Sequence, residues 1–226
     1  MRTTYTIAAL GCLIGIYAGT HTAHAQNTTG IRFGIKSGLT LAKLNGKTVT
    51  NRDYKPSFHI GGLLCWRPTQ MFAVQPEVLY TRQGATDELQ LPTLTLRSKT
   101  TLSYLSIPVL AKAYISRSVN LQFGPQLGLL LDGQRAGDLL YIQTDISTAL
   151  VKGEENVKEQ FRNDVALCGG IGIDLPSGFQ GSLRYIYGLA DVNNLGKQQP
   201  ALYYQDTSSK YNRTFEFSIG YAFGGQ

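Results

Sequence analysis

From about residue 30 to Phe223, the chain repeatedly alternates apolar and polar residues with a period of two. The last stretch shows the pattern most cleanly. Phe215, Phe217, Ile219, Tyr221 and Phe223 fall on one face, and Thr214, Glu216, Ser218, Gly220 and Ala222 on the other. Successive side chains of a β-strand point to opposite sides, so this segment reads as a strand with one aromatic face and one small, polar face. The same reading, with turn residues marking the breaks, predicts eight strands. They lie near residues 30–41, 56–67, 71–83, 100–115, 119–131, 163–174, 178–190 and 212–223.

The connections alternate in length. Tight turns occur at 68–70, 116–118 and 175–178, while longer polar segments occupy 42–55, 84–99, 132–162 and 191–211. Outer-membrane barrels have short periplasmic turns and longer external loops. Repeated long loops are uncommon within a compact soluble domain. The predicted fold is therefore all-β: an eight-stranded antiparallel up-and-down transmembrane β-barrel.

The two faces agree with this architecture. The outward set comprises Ile31, Phe33, Ile35, Phe58, Ile60, Leu64, Trp66, Phe72, Val74, Val78, Tyr80, Leu105, Ile107 and Val109. It continues through Leu121, Phe123, Leu127, Leu129, Val165, Leu167, Ile171, Ile173, Leu183, Tyr185 and Tyr187. The opposite face carries Arg32, Lys36, His59, Gln75, Glu77, Lys112, Gln122, Gln126, Asp164, Arg184 and Glu216. Lys or Arg facing lipid at mid-depth costs about 2–4 kcal/mol, and the outward face avoids both. A soluble eight-stranded calyx shares the periodicity with its apolar face turned inward. Acids and bases mixed on one face fit a packed lumen better than a solvated surface. Trp66 and several tyrosines near strand ends suit an interfacial girdle. The terminal aromatic Phe223 resembles the C-terminal signal read by outer-membrane assembly machinery.

At the N-terminus Arg2 precedes the apolar stretch 7–18, and Ala23-His24-Ala25 forms an A-x-A cleavage site. Residues 1–25 thus read as an export signal and 26–226 as the barrel. The apolar stretch falls short of the roughly 20 residues a membrane helix needs. Removing the segment takes away Arg2 alone among the charged residues, lowering the formal charge from +6 to +5. It also leaves His59 as the one histidine. Cys65 and Cys168 lie in separate strands and read as free buried thiols.

Chemistry beyond packing is sparse. His59 has no nucleophile motif nearby and reads as a polar lumen residue. One histidine and two separated cysteines give no metal cluster. The acids Asp132, Asp138, Asp145, Glu154, Glu155 and Glu159 lack the spacing of a calcium loop. Gly169-Gly-Ile-Gly172 sits within a strand, so it does not form a nucleotide fingerprint. No catalytic, cofactor or metal residue is expected. The basic balance, pI about 9.2, comes from scattered cations rather than a nucleic-acid-binding stripe. Contact with lipopolysaccharide and other outer-membrane lipids through Lys43, Lys47, Arg52, Lys55, Arg97 and Lys99 accounts for it better. In the lumen, Glu77 and Glu216 share a face with Lys36, Lys112 and Arg184. An eight-stranded barrel is just filled by side chains, and buried charges require partners. These residues therefore read as an internal ion-pair plug.

Several runs also resemble a known family. They are 34–41 (GIKSGLTL), 56–62 (PSFHIGG), 74–84 (VQPEVLYTRQG), 102–110 (LSYLSIPVL), 123–128 (FGPQLG) and the terminal 217–223 (FSIGYAF). Together with Leu183-Arg-Tyr185, they resemble the PorT-like outer-membrane β-barrel proteins of Bacteroidota across the whole mature chain. The resemblance implies an outer-membrane location and an eight-stranded barrel. Its name-giving member serves a protein secretion system, so an envelope or secretion-system protein becomes an implied partner. Three functions stay open: a non-enzymatic barrel whose loops bind a partner or surface polymer, a narrow channel for small solutes, and a rim enzyme acting on envelope lipids.

Overall fold

A computed structural model describes residues 30–45, 52–91, 94–142, 148–194 and 209–224. The export segment 1–25 lies outside the described residues. The strands are β1 Gly30–Asn45, β2 Arg52–Arg67, β3 Phe72–Leu91, β4 Leu94–Tyr114, β5 Val119–Ile142, β6 Thr148–Asn156, β7 Asp164–Asp174, β8 Phe179–Gly188 and β9 Tyr211–Phe223. A 3-10 turn, Lys158–Gln160, follows β6.

All pairings are antiparallel. Each of β1 to β5 pairs with the next, then β5 pairs with β7, β7 with β8 and β8 with β9. β9 returns to β1 in a register running from Phe33↔Phe223 to Asn45↔Tyr211. The circuit β1-β2-β3-β4-β5-β7-β8-β9 is therefore a closed eight-stranded barrel. Closure matters because hydrocarbon offers no partner to an unpaired backbone N–H or C=O.

The barrel is turned inside out relative to a soluble domain. Ile35 and Phe217 are each 62% exposed and Ile219 71%, whereas their polar neighbours Lys36, Glu216 and Ser218 are buried. The same alternation runs through β7, where Val165, Leu167, Ile171 and Ile173 face out while Asp164, Ala166 and Cys168 face in. A continuous apolar belt of this size is stable only against lipid. A soluble calyx would require these side chains in the lumen, so the arrangement excludes that alternative. Aromatic residues gather at both borders. Phe33, Trp66, Phe72, Phe179 and Phe223 lie at the tight-turn end, with Phe179 edge-on to Tyr221 at 5.1 Å. Tyr54, Tyr185 and Phe215 cluster toward the other end, with Tyr185 and Phe215 rings 4.8 Å apart. These are the two interfacial girdles of a membrane barrel.

The membrane-level strand ends fall within about two residues of those read from the sequence, whereas the long connections differ. Residues 84–99, expected as a loop, continue the β3–β4 hairpin from Gly84↔Thr101 to Leu91↔Leu94. Segment 132–162 is likewise not a simple loop. β5 runs on to Ile142, and β6 folds back on it from Gln134↔Asn156 to Ile142↔Thr148. Segment 42–55 is shortened by strand at both ends. Most of segment 191–211 lies outside the described residues. About 9–11 residues suffice for a strand to cross a membrane. With 20, 21 and 24 residues, β3, β4 and β5 therefore project well beyond it as a twisted sheet, with β6 added to its edge. That end faces outward from the cell, and the tight turns face the periplasm.

Glycine is required where strands crowd. A Cβ added at lumen-facing Gly38 would overlap the carbonyl oxygen of Phe217 and press on His59 Cε1. Gly38→Ala is expected to destabilise the barrel by about 1–3 kcal/mol, the usual range for overpacking. The midpoint for loss of the fast-migrating, unboiled gel band in urea should fall. An unchanged midpoint would show that β1 and β9 can separate without cost.

Candidate functional site

The lumen brings polar side chains from every wall into a narrow space. Its centre is Glu77 on β3, 1% exposed. Arg184 from β8 approaches across the barrel and donates Nη1 and Nη2 to the two carboxylate oxygens, each at 2.7 Å. This is the parallel, two-pronged geometry that makes guanidinium–carboxylate pairs strong. Lys36 from β1 reaches the same carboxylate, with Nζ 3.1 Å from Oε2. Gln75 Nε2 donates to Oε1 at 2.6 Å, and Gln122 Oε1 accepts from Arg184 Nε at 2.7 Å. Glu216 lies directly across from Arg184 in the β8–β9 register and brings a second buried carboxyl to this level.

The five residues read from the sequence do not form one cluster. Lys36, Glu77 and Arg184 bond directly, with Glu216 beside them. Lys112 instead pairs with Asp174, Nζ lying 2.9 Å from Oδ2, in a separate layer nearer the periplasm. Tyr114 donates to the same oxygen at 2.6 Å. The reason is register: Lys112 lies opposite Gln122 on β5, near the lower ends of its strands, whereas Glu77 sits further up β3. Asp174 escaped the sequence reading because it abuts the Leu175-Pro-Ser-Gly turn. Its signal was available, since it continues the inward series Asp164, Ala166, Cys168. The small gap between the two layers is lined by Lys36, Gln75, Lys112, Asp174 and Arg184.

Above Glu77, hydroxyls replace charges. His59 is 2.9 Å from Thr40 Oγ1 through Nδ1 and 2.9 Å from Ser218 Oγ through Nε2. Both ring nitrogens are thus engaged inside the wall, and the imidazole stands away from the rim where a lipid substrate would arrive. Higher still, Asn212 donates to Asp164 at 2.7 Å. An apolar cap of Leu44, Leu102, Tyr104, Val157, Phe161 and Val192 then covers the external mouth. Val157 and Phe161 come from the segment after β6, which turns inward there; the backbone N–H of Val157 donates to Gly133 O at 2.8 Å. From the sequence, 132–162 reads as a long polar external connection, with no cap expected from it. Its sign was the pair of apolar residues flanking Lys158–Gln160.

Cys65 and Cys168 are buried free thiols in separate apolar clusters. Among the described residues, no group of three His, Cys, Asp or Glu side chains is placed to hold a metal ion. The proposed lipid-contacting cations divide by face. Lys43 points outward and lies 4.8 Å over the Tyr54 ring, and Lys99 is exposed. Lys55 faces inward and donates to Thr100 O at 3.2 Å and to Thr101 Oγ1, which removes it from the lipid surface. Lys47 and the side chains of Arg52 and Arg97 lie outside the described residues. Arg213, not anticipated as a rim cation, stacks on Tyr187 at 3.6 Å and donates to Gly188 O.

Apolar exterior, closed ring and charge-filled lumen define an outer-membrane β-barrel. The chain belongs to the outer membrane protein beta-barrel domain family, whose model matches residues 24–194. None of the curated proteins matches it in sequence. Among solved structures it is similar to Ail, the attachment invasion locus protein of Yersinia pestis, at 14% identity and TM-score 0.47. That match covers 86% of this chain and 99% of Ail. It is also similar to Neisserial surface protein A at 17% identity and TM-score 0.42, covering 85% of this chain and 97% of the other. OprG of Pseudomonas aeruginosa matches at 11% identity and TM-score 0.40, covering 86% and 97% respectively.

Removing the Glu77 carboxylate leaves Lys36 and Arg184 buried with their main counter-charge gone. Breaking a buried pair in this way typically costs about 3–5 kcal/mol. Glu77→Ala should therefore lower the urea midpoint of the purified barrel strongly. Replacing Lys36, Glu77, Arg184 and Glu216 together with methionine, leucine, methionine and leucine should recover much of the loss. Equal destabilisation in the single and quadruple variants would mean that charge balance is not what Glu77 supplies.

Proposed function

We propose that the chain is a non-enzymatic barrel of the outer membrane, exported by a cleaved signal over residues 1–25, whose external hairpins bind a partner at the cell surface. One observation carries this reading. The lumen is crossed by two buried ion-pair layers and capped by apolar side chains, while β3 to β6 continue past the membrane as an ordered sheet. Strand is invested where a partner can reach it, and the passage a channel would need is filled.

Lipopolysaccharide is the first partner on this reading, because Lys43 and Lys99 present cations on the outer side near the external girdle. An envelope or secretion-system protein is the second, taken by the projecting sheet. This is the role that a PorT-like relationship implies. The engaged nitrogens of His59 and its distance from the rim argue against lipid chemistry.

In planar bilayers the purified protein should show no steady single-channel conductance. Stable openings would transfer the reading to a channel. Lys43→Gln combined with Lys99→Gln should reduce co-purified lipopolysaccharide while preserving the heat-dependent gel shift. Undiminished lipopolysaccharide would remove these cations from the interface.

A further inference from the structure

Two levels of the lumen carry matched charges, Glu77 with Lys36 and Arg184, and Asp174 with Lys112; the periplasmic mouth below them is different. There Arg32 from β1, Arg67 at the end of β2 and Arg117 in the β4–β5 turn line one open pocket, together with Tyr114 and Asp174. Asp174, the acid of this lining, already accepts hydrogen bonds from Lys112 and Tyr114. Three arginines therefore line a mouth whose carboxylate is committed elsewhere.

Arg67 is held ready. It is 8% exposed, its guanidinium carbon lies 3.4 Å from the centroid of the Tyr114 ring, and its Nη2 donates to Gln70 O at 2.6 Å. Its Nε is buried and meets no acceptor in the protein. Buried donors are rarely left in that state, and a guanidinium cannot shed its proton to escape it. Stacking and the Gln70 bond fix the plane of the group, so its donors are preorganised.

We propose that this mouth is an oxyanion site that takes a phosphate group. A phosphate carries up to about two negative charges and offers acceptors to several guanidinium forks at once, whereas a carboxylate brings one charge and two oxygens. Soluble phosphate compounds and phospholipid headgroups share this chemistry. The geometry favours the soluble source. Arg32 and Arg67 project into the lumen, alternating with the lipid-facing Ile31, Phe33 and Trp66, so the pocket is reached from the periplasm rather than from the bilayer.

The test is calorimetric titration of inorganic phosphate into the refolded barrel in phosphate-free maltoside micelles. Saturable binding that weakens with added salt is expected. Arg32→Gln and Arg117→Gln should each weaken it about tenfold, as loss of one charge-assisted hydrogen bond does. Arg117 is exposed in a turn, so its variant should retain the heat-dependent gel shift. Arg67→Lys keeps the charge but loses the flat fork, and should also bind more weakly. Absence of saturable binding, or parental affinity in the Arg32→Gln/Arg117→Gln double variant, would overturn the site. Undiminished binding in phosphatidylglycerol nanodiscs would support the soluble source; loss of binding there would overturn it in favour of headgroup phosphate.

Discussion

Everything in this molecule depends on closing the sheet. Within hydrocarbon an unpaired peptide group costs several kcal/mol, so β1 and β9 must find each other although they lie at opposite ends of the described chain. The seam is long, extending through thirteen registered pairs from Phe33↔Phe223 to Asn45↔Tyr211. Its close approach at Gly38 shows how little room the wall allows. Once the ring is closed, the period-two alternation has just two destinations. One face meets lipid and the other meets a lumen barely wide enough for its own side chains.

That narrowness determines the interior chemistry. Long polar side chains fill the cross-section and carry charge into a region from which water is largely excluded, where an unmatched charge would be prohibitive. The lumen resolves this in layers. Lys36 and Arg184 are set against Glu77 and Glu216 at one level, and Lys112 against Asp174 at the next. Arg184 shares Glu77 with Lys36, so neither cation has a carboxylate to itself. The arrangement ties β1, β3 and β8 together through one side chain. A buried ion pair is weak evidence for net stability, but a shared one resists register slip, because moving any of the three strands by one residue would turn its charge toward lipid.

The membrane half of the fold was legible because lipid enforces the pattern. Ile35 or Phe217 cannot be exchanged for a charge without a penalty of about 2–4 kcal/mol at mid-depth, so the alternation there stays clean. The polar face was legible as a face, but its pairing was not. Side-chain identity placed Lys112 and Glu77 together, whereas pairing depends on height along the barrel. Height follows from strand tilt and stagger, which composition does not record. Asp174 was obscured in the same way by its place beside a turn.

The external half was misread for the complementary reason. Beyond the headgroups, water solvates both faces of a strand and no longer selects apolar residues on alternate positions. Residues 84–99 look like loop because Gly84, Asp87, Glu88 and Pro92 interrupt the apolar pattern, although Leu89 and Leu91, then Leu94 and Leu96, recur at every second position and the backbone pairs through to Leu91↔Leu94. β6 is concealed similarly, since Lys152, Glu154 and Glu155 interrupt its apolar residues while its backbone pairs along β5. Period-two alternation thus reports the solvent around a strand as much as the strand itself. Where it is interrupted in this chain, the sheet has left the membrane rather than ended, and the surface that meets the outside world lies in the residues whose pattern is least regular.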